Sequence, residues 1–405
     1  MIVTVRPGRL CGRVTVPASK SAAHRALICA ALADAPTVLS PNALNGDIEA
    51  TVRCLSALGA RITRADALTV FPIGASVPED AGSLRELDCG ESGSTLRFLL
   101  PVACALGARI RFVGRGRLPE RPNAALVEAL RAHGAAIDSD RLPMNASGAL
   151  TGGVYALPGN VSSQYITGLL LALPLLPKDS RIILTALLES AAYVDMTVDM
   201  LARFGIVVEA TGTGWHIPGA QAYRTPGRFY IEGDWSAAAF WLAANAMGSD
   251  IEVDGLSDDT AQGDRAMPAL LAQTRIDASN VPDLVPALAA AAAIRPGRTV
   301  ITGAARLRLK ESDRLSAVAD MLRALGGQAE VTPDGLIIDG GRPLHGGEVD
   351  GANDHRIVMA AAILATRADG PVRIPGAEAV NKSYPEFFDH FTALGGNIDV
   401  ESAGR

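Results

Sequence analysis

The sequence predicts an α+β chain of six repeated units, three to a domain. Three observations carry this. The length of 405 residues exceeds one ordinary hydrophobic core and suits two. An amphipathic helix that stops at glycine and runs into a strand recurs along the chain. A more apolar Ala/Leu-rich helix, opening on polar residues, alternates with it. Six copies of each give a period of about 67 residues, enough for two helices and several strands.

The glycine-stopped copies are Thr51 to Gly59 leading to Ala60-Arg61-Ile62, Leu126 to Gly134 leading to Ala135-Ala136-Ile137, and Val198 to Gly205 leading to Ile206-Val207-Val208. Val318 to Gly326 leads to Gly327-Gln328-Ala329-Glu330-Val331, Phe387 to Gly395 leads to Gly396-Asn397-Ile398, and Met267 to Ile276 is a degraded copy. Glycine suits such a stop because the left-handed conformation needed there penalises any Cβ. The apolar helices start near Ser19-Lys20-Ser21, Ser92-Gly93-Ser94-Thr95, Ser162-Ser163-Gln164, Asp234-Trp235-Ser236, Pro282-Asp283 and Asn353-Asp354-His355. Each is nearly apolar all round, so each is expected to be buried on several sides. Met1 to Arg6 alternates as a strand does and lacks a signal-peptide apolar region.

Composition bounds the function. With 48% hydrophobic and 20% charged residues the chain is globular, not disordered. Aromatics are only 4%, so small side chains fill the core. A net charge of −6 excludes a nucleic-acid binder that works by bulk positive charge. Five cysteines, Cys11, Cys29, Cys54, Cys89 and Cys104, form no CxxC pair, so neither a disulfide framework nor a zinc site is expected. The longest strongly apolar run, Gly168 to Pro177, is half of the roughly 20 residues a bilayer crossing needs. A soluble cytoplasmic protein without membrane or nucleic-acid partners is the expectation. A dinucleotide-binding dehydrogenase is disfavoured, since Gly152-Gly153 opens no strand–GxGxxG–helix unit.

The starts of the apolar helices are the candidate site. A buried helix presents unsatisfied N–H groups and a partly positive end there, which suits anions. Around these starts lie Lys20, Arg25, Arg97, Arg121, Lys310, Arg314, Arg356 and Lys382. Singly, each reads as a solvated surface charge. Several, however, sit inside apolar sequence: Arg25 before Ala26-Leu27-Ile28, Arg97 before Phe98-Leu99-Leu100, Arg356 before Ile357-Val358-Met359. Local carboxylates look too few to neutralise them, so a bound polyanion is the expected partner, and the planar guanidinium fork suits carboxylate and phosphate.

The motifs carry a resemblance. Pro17 to Leu27, Cys89-Gly90-Glu91-Ser92-Gly93-Ser94-Thr95-Leu96-Arg97 and Arg308-Leu309-Lys310-Glu311-Ser312-Asp313-Arg314 resemble the signatures of the 5-enolpyruvylshikimate-3-phosphate synthase family. Glu120-Arg121-Pro122, Ser162-Ser163-Gln164, Glu232-Gly233-Asp234, Asp354-His355-Arg356 and Lys382-Ser383-Tyr384-Pro385 follow in the family's order, so the resemblance spans nearly the whole chain. It implies a two-domain, inverse α/β barrel-like fold of six βαβαββ units. It further implies a discontinuous domain 1–18 plus 229–405, a second domain 19–228, and an active site in the interdomain cleft. The implied reaction moves the enolpyruvyl group of phosphoenolpyruvate onto the 5-hydroxyl of shikimate 3-phosphate, in the shikimate pathway to chorismate and the aromatic amino acids. It needs no cofactor or metal, and the chain is expected to act as a monomer. The two substrates bring roughly five to six negative charges, which eight cations match in scale.

By resemblance, Lys20, Ser21, Arg25, Ser162, Ser163, Gln164, Ser190, Asp283 and Lys310 hold shikimate 3-phosphate, with the serine pair and Lys310 on its phosphate. Lys20, Gly93, Arg97, Arg121, Gln164, Arg314, Arg356 and Lys382 surround phosphoenolpyruvate. Asp283, Glu311 and Lys20 match the catalytic positions: Asp283 the base for the hydroxyl, Glu311 and Lys20 for proton transfer at carbon. From the residues alone, Asp283 reads equally well as a helix N-cap and Glu311 as an ordinary helix-start carboxylate. Gly93 stands where Ala is associated with glyphosate tolerance, so inhibition by that phosphoenolpyruvate mimic is expected. There are departures. Arg306 stands where many members carry Asn and is left unassigned, Ala191-Ala192 follow Ser190 in place of Lys/Gln-Pro, Glu91 replaces Asn, and Ser94 replaces Thr. The sister transferase acting on UDP-N-acetylglucosamine is the nearest alternative. It has Lys-Asn at the first helix start and Cys five residues before the Arg-Pro arginine, where this chain has Lys20-Ser21 and Gly116. A non-catalytic shikimate-phosphate-binding homologue is the other, and intact Asp283, Glu311 and Lys20 argue against it.

Overall fold

The computed structural model describes residues 1–41, 44–74 and 83–401. The chain divides into two compact units, Ala18–Ile231 and Met1–Pro17 with Glu232–Arg405; residues 402–405 of the latter lie outside the described residues.

Among the described residues, the unit Ala18–Ile231 holds three four-stranded sheets and six α-helices: α1 (Lys20–Leu32), α2 (Gly46–Leu58), α3 (Gly93–Ala105), α4 (Ala124–Arg131), α5 (Ser163–Ala172) and α6 (Ala191–Arg203). In two of its sheets the order of elements is strand, buried helix, strand, amphipathic helix, then a hairpin. Arg85–Asp88, α3, Ile110–Val113, α4, Ala136–Ile137 and Met144–Ser147 make one; Val154–Pro158, α5, Ser180–Ala186, α6, Glu209–Thr211 and Gly214–Ile217 make another. In both, the first two strands pair in parallel and the rest antiparallel. The remaining sheet borrows its first strand from far along the chain. Arg228–Tyr230 pairs in parallel with Thr37–Ser40, which pairs with Leu68–Phe71 and through it Arg61–Arg64. That strand belongs to this unit and ends beyond 228, where the sequence reading placed the crossing.

The other unit contains α7 (Trp235–Ala246), α8 (Met267–Leu271), α9 (Val285–Ile294), α10 (Arg314–Ala324), α11 (His355–Ala365) and α12 (Phe387–Ala393). Arg275–Asp277, α9, Gly297–Thr302, α10 and the hairpin Gln328–Thr332/Gly335–Gly340 complete one sheet. Gly347–Glu348, α11, Val372–Pro375, α12 and Asn397–Glu401 need a last strand, and Ile2–Arg6 supplies it, with Val3 opposite Ile374 on one side and Val400 on the other. The degraded repeat is Cys11–Thr15, α7, Asp250–Asp254 and the short α8, a two-stranded sheet with no hairpin of its own among the described residues.

Local chemistry accounts for these elements. Ser19, Ser92, Ser162, Asp234 and Asp354 cap the buried helices, each side chain accepting from a first-turn N–H. After the amphipathic helices Gly59, Gly134, Gly205, Gly326 and Gly395 all take positive φ, as expected of the stops. One expected strand moved: the run Ile206-Val207-Val208 is not paired, and the strand starts at Glu209. The Gln221 side chain occupies the Val207 backbone instead, accepting from its N–H at 2.7 Å and donating to its carbonyl at 3.0 Å.

The core follows from small side chains. α7, α9 and α11 pack against one another, and every residue of α11 is buried. α5 lies hard against α3 because Gly168 has no Cβ; one there would stand 2.2 Å from the Arg97 carbonyl oxygen. Four of the cysteines are buried free thiols and Cys11 is exposed. No helix among the described residues is long and apolar enough to cross a membrane.

Candidate active site

In the unit Ala18–Ile231 the candidate residues collect at the starts of α1, α3, α5 and α6. Lys20 opens α1, and its ammonium meets Asp47 on the first turn of α2 at 2.9 Å, both side chains mostly buried. One turn on, Arg25 is 2% exposed. Its guanidinium donates to Thr197 Oγ1 at 2.8 Å, to the Ser21 carbonyl at 2.6 Å, to the Tyr193 carbonyl at 2.7 Å and to Thr167 Oγ1 at 3.4 Å, and it lies over the Phe98 ring. All of these partners are neutral. Burial, opposed only weakly by Tyr193 and Cys29, brings its pKa down to about 10. Beside it His24 is held neutral, its pKa well below the usual imidazole value, by burial first and then by Lys20 and Arg25. Its Nδ1 meets Thr51 Oγ1 at 2.8 Å.

Arg97 is aimed by groups from two other segments. It donates to Asn123 Oδ1 at 3.1 Å, to the Pro122 carbonyl at 3.1 Å and to Gln164 Oε1 at 2.7 Å, while Gln164 Nε2 donates to Ser94 Oγ at 2.9 Å. Gly93, the first residue of α3, leaves room for the buried Arg121: a Cβ there would stand 2.8 Å from Arg121 Nη1. Ser162 caps α5 and Ser163 begins it. Ser190 starts α6 with φ of 57°, a left-handed strain that a non-glycine residue adopts only where surrounding contacts impose it.

In the other unit Asp283 occupies a 3-10 turn, Pro282–Leu284, just before α9, and that turn carries no side-chain cap. Its carboxylate instead meets Arg314 Nη1 at 2.9 Å, Arg356 Nη2 at 3.1 Å and Lys310 Nζ at 3.4 Å. Arg314, 1% exposed, also holds Glu311 at 2.7 Å and Asp354 at 2.8 Å. Burial alone would lower its pKa, but Asp354, Glu311 and Asp283 lift it well above the usual range. Asp354, fully buried, caps α11 and accepts from Ser312 Oγ at 2.9 Å as well. Lys382 donates to the Asn353 carbonyl at 2.7 Å, and Ala352 and Asn353 both have positive φ.

The expectation of too few local carboxylates therefore fails in this unit. Three of them surround Arg314, because Asp283 and Asp354 arrive from distant segments. It stands for Arg25. Sequence alone does not mark Asp354, Asp47 or His24 as site residues: Asp354 and His24 at least lie within the family-like motifs, whereas nothing local marks Asp47. Among the described residues, no group of three or more His, Cys, Asp or Glu side chains could hold a metal ion.

Buried helices that open on serines, lysines and arginines, together with a carboxylate pinned among cations, define a repeat-built α/β protein that handles small anionic molecules. The family model of EPSP synthase (3-phosphoshikimate 1-carboxyvinyltransferase) matches residues 5–275 and 266–391, and the chain belongs to that family. It is 40% identical to a 3-phosphoshikimate 1-carboxyvinyltransferase of Clostridium kluyveri, covering 100% of this chain and 99% of the relative. It is likewise 40% identical to one of Clostridium perfringens, over 98% and 99%. Among solved structures, EPSP synthase from Acinetobacter baumannii superposes with a TM-score of 0.82 at 27% identity, over 99% of this chain and 100% of that one.

Proposed function

We propose that the chain transfers the enolpyruvyl group of phosphoenolpyruvate to the 5-hydroxyl of shikimate 3-phosphate, releasing phosphate. Asp283 takes the hydroxyl proton as the oxygen attacks C2 of phosphoenolpyruvate. Glu311 or Lys20 delivers a proton to the methylene carbon C3, giving a tetrahedral intermediate. Loss of a proton from the new methyl group then reforms the double bond as the C2–O bond to phosphate breaks. Ser21, Arg25, Ser162, Ser163, Gln164, Ser190 and Lys310 bind shikimate 3-phosphate. Gly93, Arg97, Arg121, Gln164, Arg314, Arg356 and Lys382 bind phosphoenolpyruvate. The observation that carries the reading is the ion-pair cluster in which Asp283 and Glu311 share Arg314 beside Lys310 and Arg356. Such a cluster orients a base and offers two cations to incoming anions. We place the enzyme in the cytoplasm as a monomer; light scattering of the purified chain tests the latter.

Phosphate release with both substrates, with each omitted in turn, tests the reaction. Release should require both, and Asp283→Ala should lower kcat by roughly 10²–10⁴-fold. Release that persists without shikimate 3-phosphate would sink the assignment.

A further inference from the structure

Asp264 is a buried carboxylate that the proposed mechanism does not use. It is 3% exposed, in the 3-10 turn Gly263–Ala266 that packs on α7. Its Oδ2 accepts from Ser236 Oγ, while its buried Oδ1 has no hydrogen-bond partner. Two residues earlier Gln262 takes the Trp235 N–H at 3.1 Å and donates to the Gly233 carbonyl at 2.8 Å. Gln262 and Asp264 thus grip both sides of the first turn of α7.

A grip alone does not call for a charge. Burying a carboxylate with one oxygen unsatisfied is costly, and like-charged neighbours add to the cost. The turn that carries Asp264 and the turn Pro282–Leu284 that carries Asp283 both pack on α7, and Asp283, Arg356 from α11 and Asp234 at the start of α7 act on Asp264 through their charge. Arg265, its chain neighbour, donates elsewhere, to the Asp258 carbonyl.

We infer that Asp264 is a positioning residue for the base: its buried negative charge, steadied by Ser236, makes Asp283 a better proton acceptor. The inference rests on Asp283 acting as the base. The repulsion between the two carboxylates is mutual, so whichever is ionised favours a proton on the other. Arg356 bridges them electrostatically, attracting Asp264 while bonded to Asp283 Oδ2. Burial first, then Asp283, pushes the Asp264 pKa up to about 6, so its charge is present at neutral pH and withdrawn just below.

The test is the pH profile of kcat and of kcat/KM from about pH 5 to pH 9. It is run on wild type, Asp264→Asn and Ser236→Ala, with Asp283→Ala as reference. Asp264→Asn should lower kcat roughly tenfold, with KM within about twofold, and move the acid-side inflection to lower pH. Ser236→Ala removes the one hydrogen bond to the carboxylate and should move that inflection upward. Asp264→Asn should also gain thermal stability over wild type as pH rises from about 4 to about 6, since the folded carboxyl releases its proton later than the unfolded one. An unmoved inflection in either variant overturns the inference, and Ser236→Ala decides alone if Asp264→Asn does not fold. Full activity in Asp283→Ala would instead remove the base assignment beneath it.

Discussion

Arg25 and Arg314 are both buried arginines near the starts of helices, yet the protein treats them in opposite ways. Arg25 is solvated by hydroxyls, carbonyls and an aromatic face, all neutral, and its charge is left for another partner. Arg314 lies among three carboxylates and orients them. The difference separates two jobs. A cation with neutral neighbours is primed for an anionic substrate, because binding repays a desolvation already suffered. A cation surrounded by carboxylates is already paired, and, whatever anion it meets, it also fixes the direction of groups such as Asp283 and Glu311. Asp264 adds a carboxylate near the second cluster, a charge that a purely structural network would not need.

The comparison breaks most readily at Arg314. Arg314→Met keeps bulk but strands Asp354, which is fully buried, with Asp283 and Glu311 beside it. The expected loss of stability is about 3–5 kcal/mol, read from urea unfolding midpoints at neutral pH. A loss under about 1 kcal/mol would mean the three carboxylates do not depend on this guanidinium.

Arg25→Met asks the opposite question. It takes one donor from two carbonyls and two hydroxyls, of which the Tyr193 carbonyl keeps Thr197 Oγ1 at 3.0 Å, and it also removes a desolvated charge, so the stability change should stay within about 2 kcal/mol. Binding should suffer far more. The KM for shikimate 3-phosphate is expected to rise roughly 10²-fold, the scale of one or two charge-assisted hydrogen bonds. If stability fell as far as in Arg314→Met while KM held, the two arginines would be alike after all.

Sequence reading could find both arginines but not tell them apart, and the reason is distance along the chain. Each precedes an apolar run, so each looks like a cation entering a buried helix. Thr197, however, lies 172 residues from Arg25, and Asp354 lies 40 from Arg314. The helix starts and glycine stops were legible because caps and left-handed turns are set within a few residues. The two borrowed strands were not equally so. Ile2–Arg6 announces itself by alternation, but Arg228–Tyr230 is short and mostly exposed, and only its pairing with Thr37–Ser40 assigns it. Val207 looks like strand because β-branched residues favour one, but a single side chain, Gln221, takes its backbone. Asp47 and Asp264 stayed hidden among 43 acidic residues because their partners lie elsewhere in the fold.

Gly93→Ala sharpens the view of the neutral-lined cluster by crowding it without changing a charge. The new methyl would press on the Arg121 guanidinium, the far end of a flexible side chain, which has to shift by a few tenths of an ångström. Stability should change little. Wild type should be inhibited by glyphosate in competition with phosphoenolpyruvate. In the variant, weakened anion contacts at Arg121 should raise the KM for phosphoenolpyruvate by roughly tenfold or less, and the inhibition constant by more. Equal shifts in both constants would show that the crowding does not discriminate between the two anions.

The smallest effect is expected from His24, which shares α1 with Lys20 and Arg25. Its proton affinity in the fold is depressed below the unfolded value of 6.5, by burial and by those two cations. The unfolded chain therefore binds the extra proton first as pH falls. The contribution to stability is complete above 6.5 and is lost progressively below it. His24→Phe keeps a ring beside Phe98 and abolishes the titration, though it gives up the bond to Thr51. Thermal midpoints of the two proteins should accordingly favour wild type near about pH 7.5 and converge toward about pH 5. A gap that stays constant across that range would mean the neutral lining of this cluster extracts no proton-linked cost, and that Lys20 and Arg25 do not set the state of the imidazole between them.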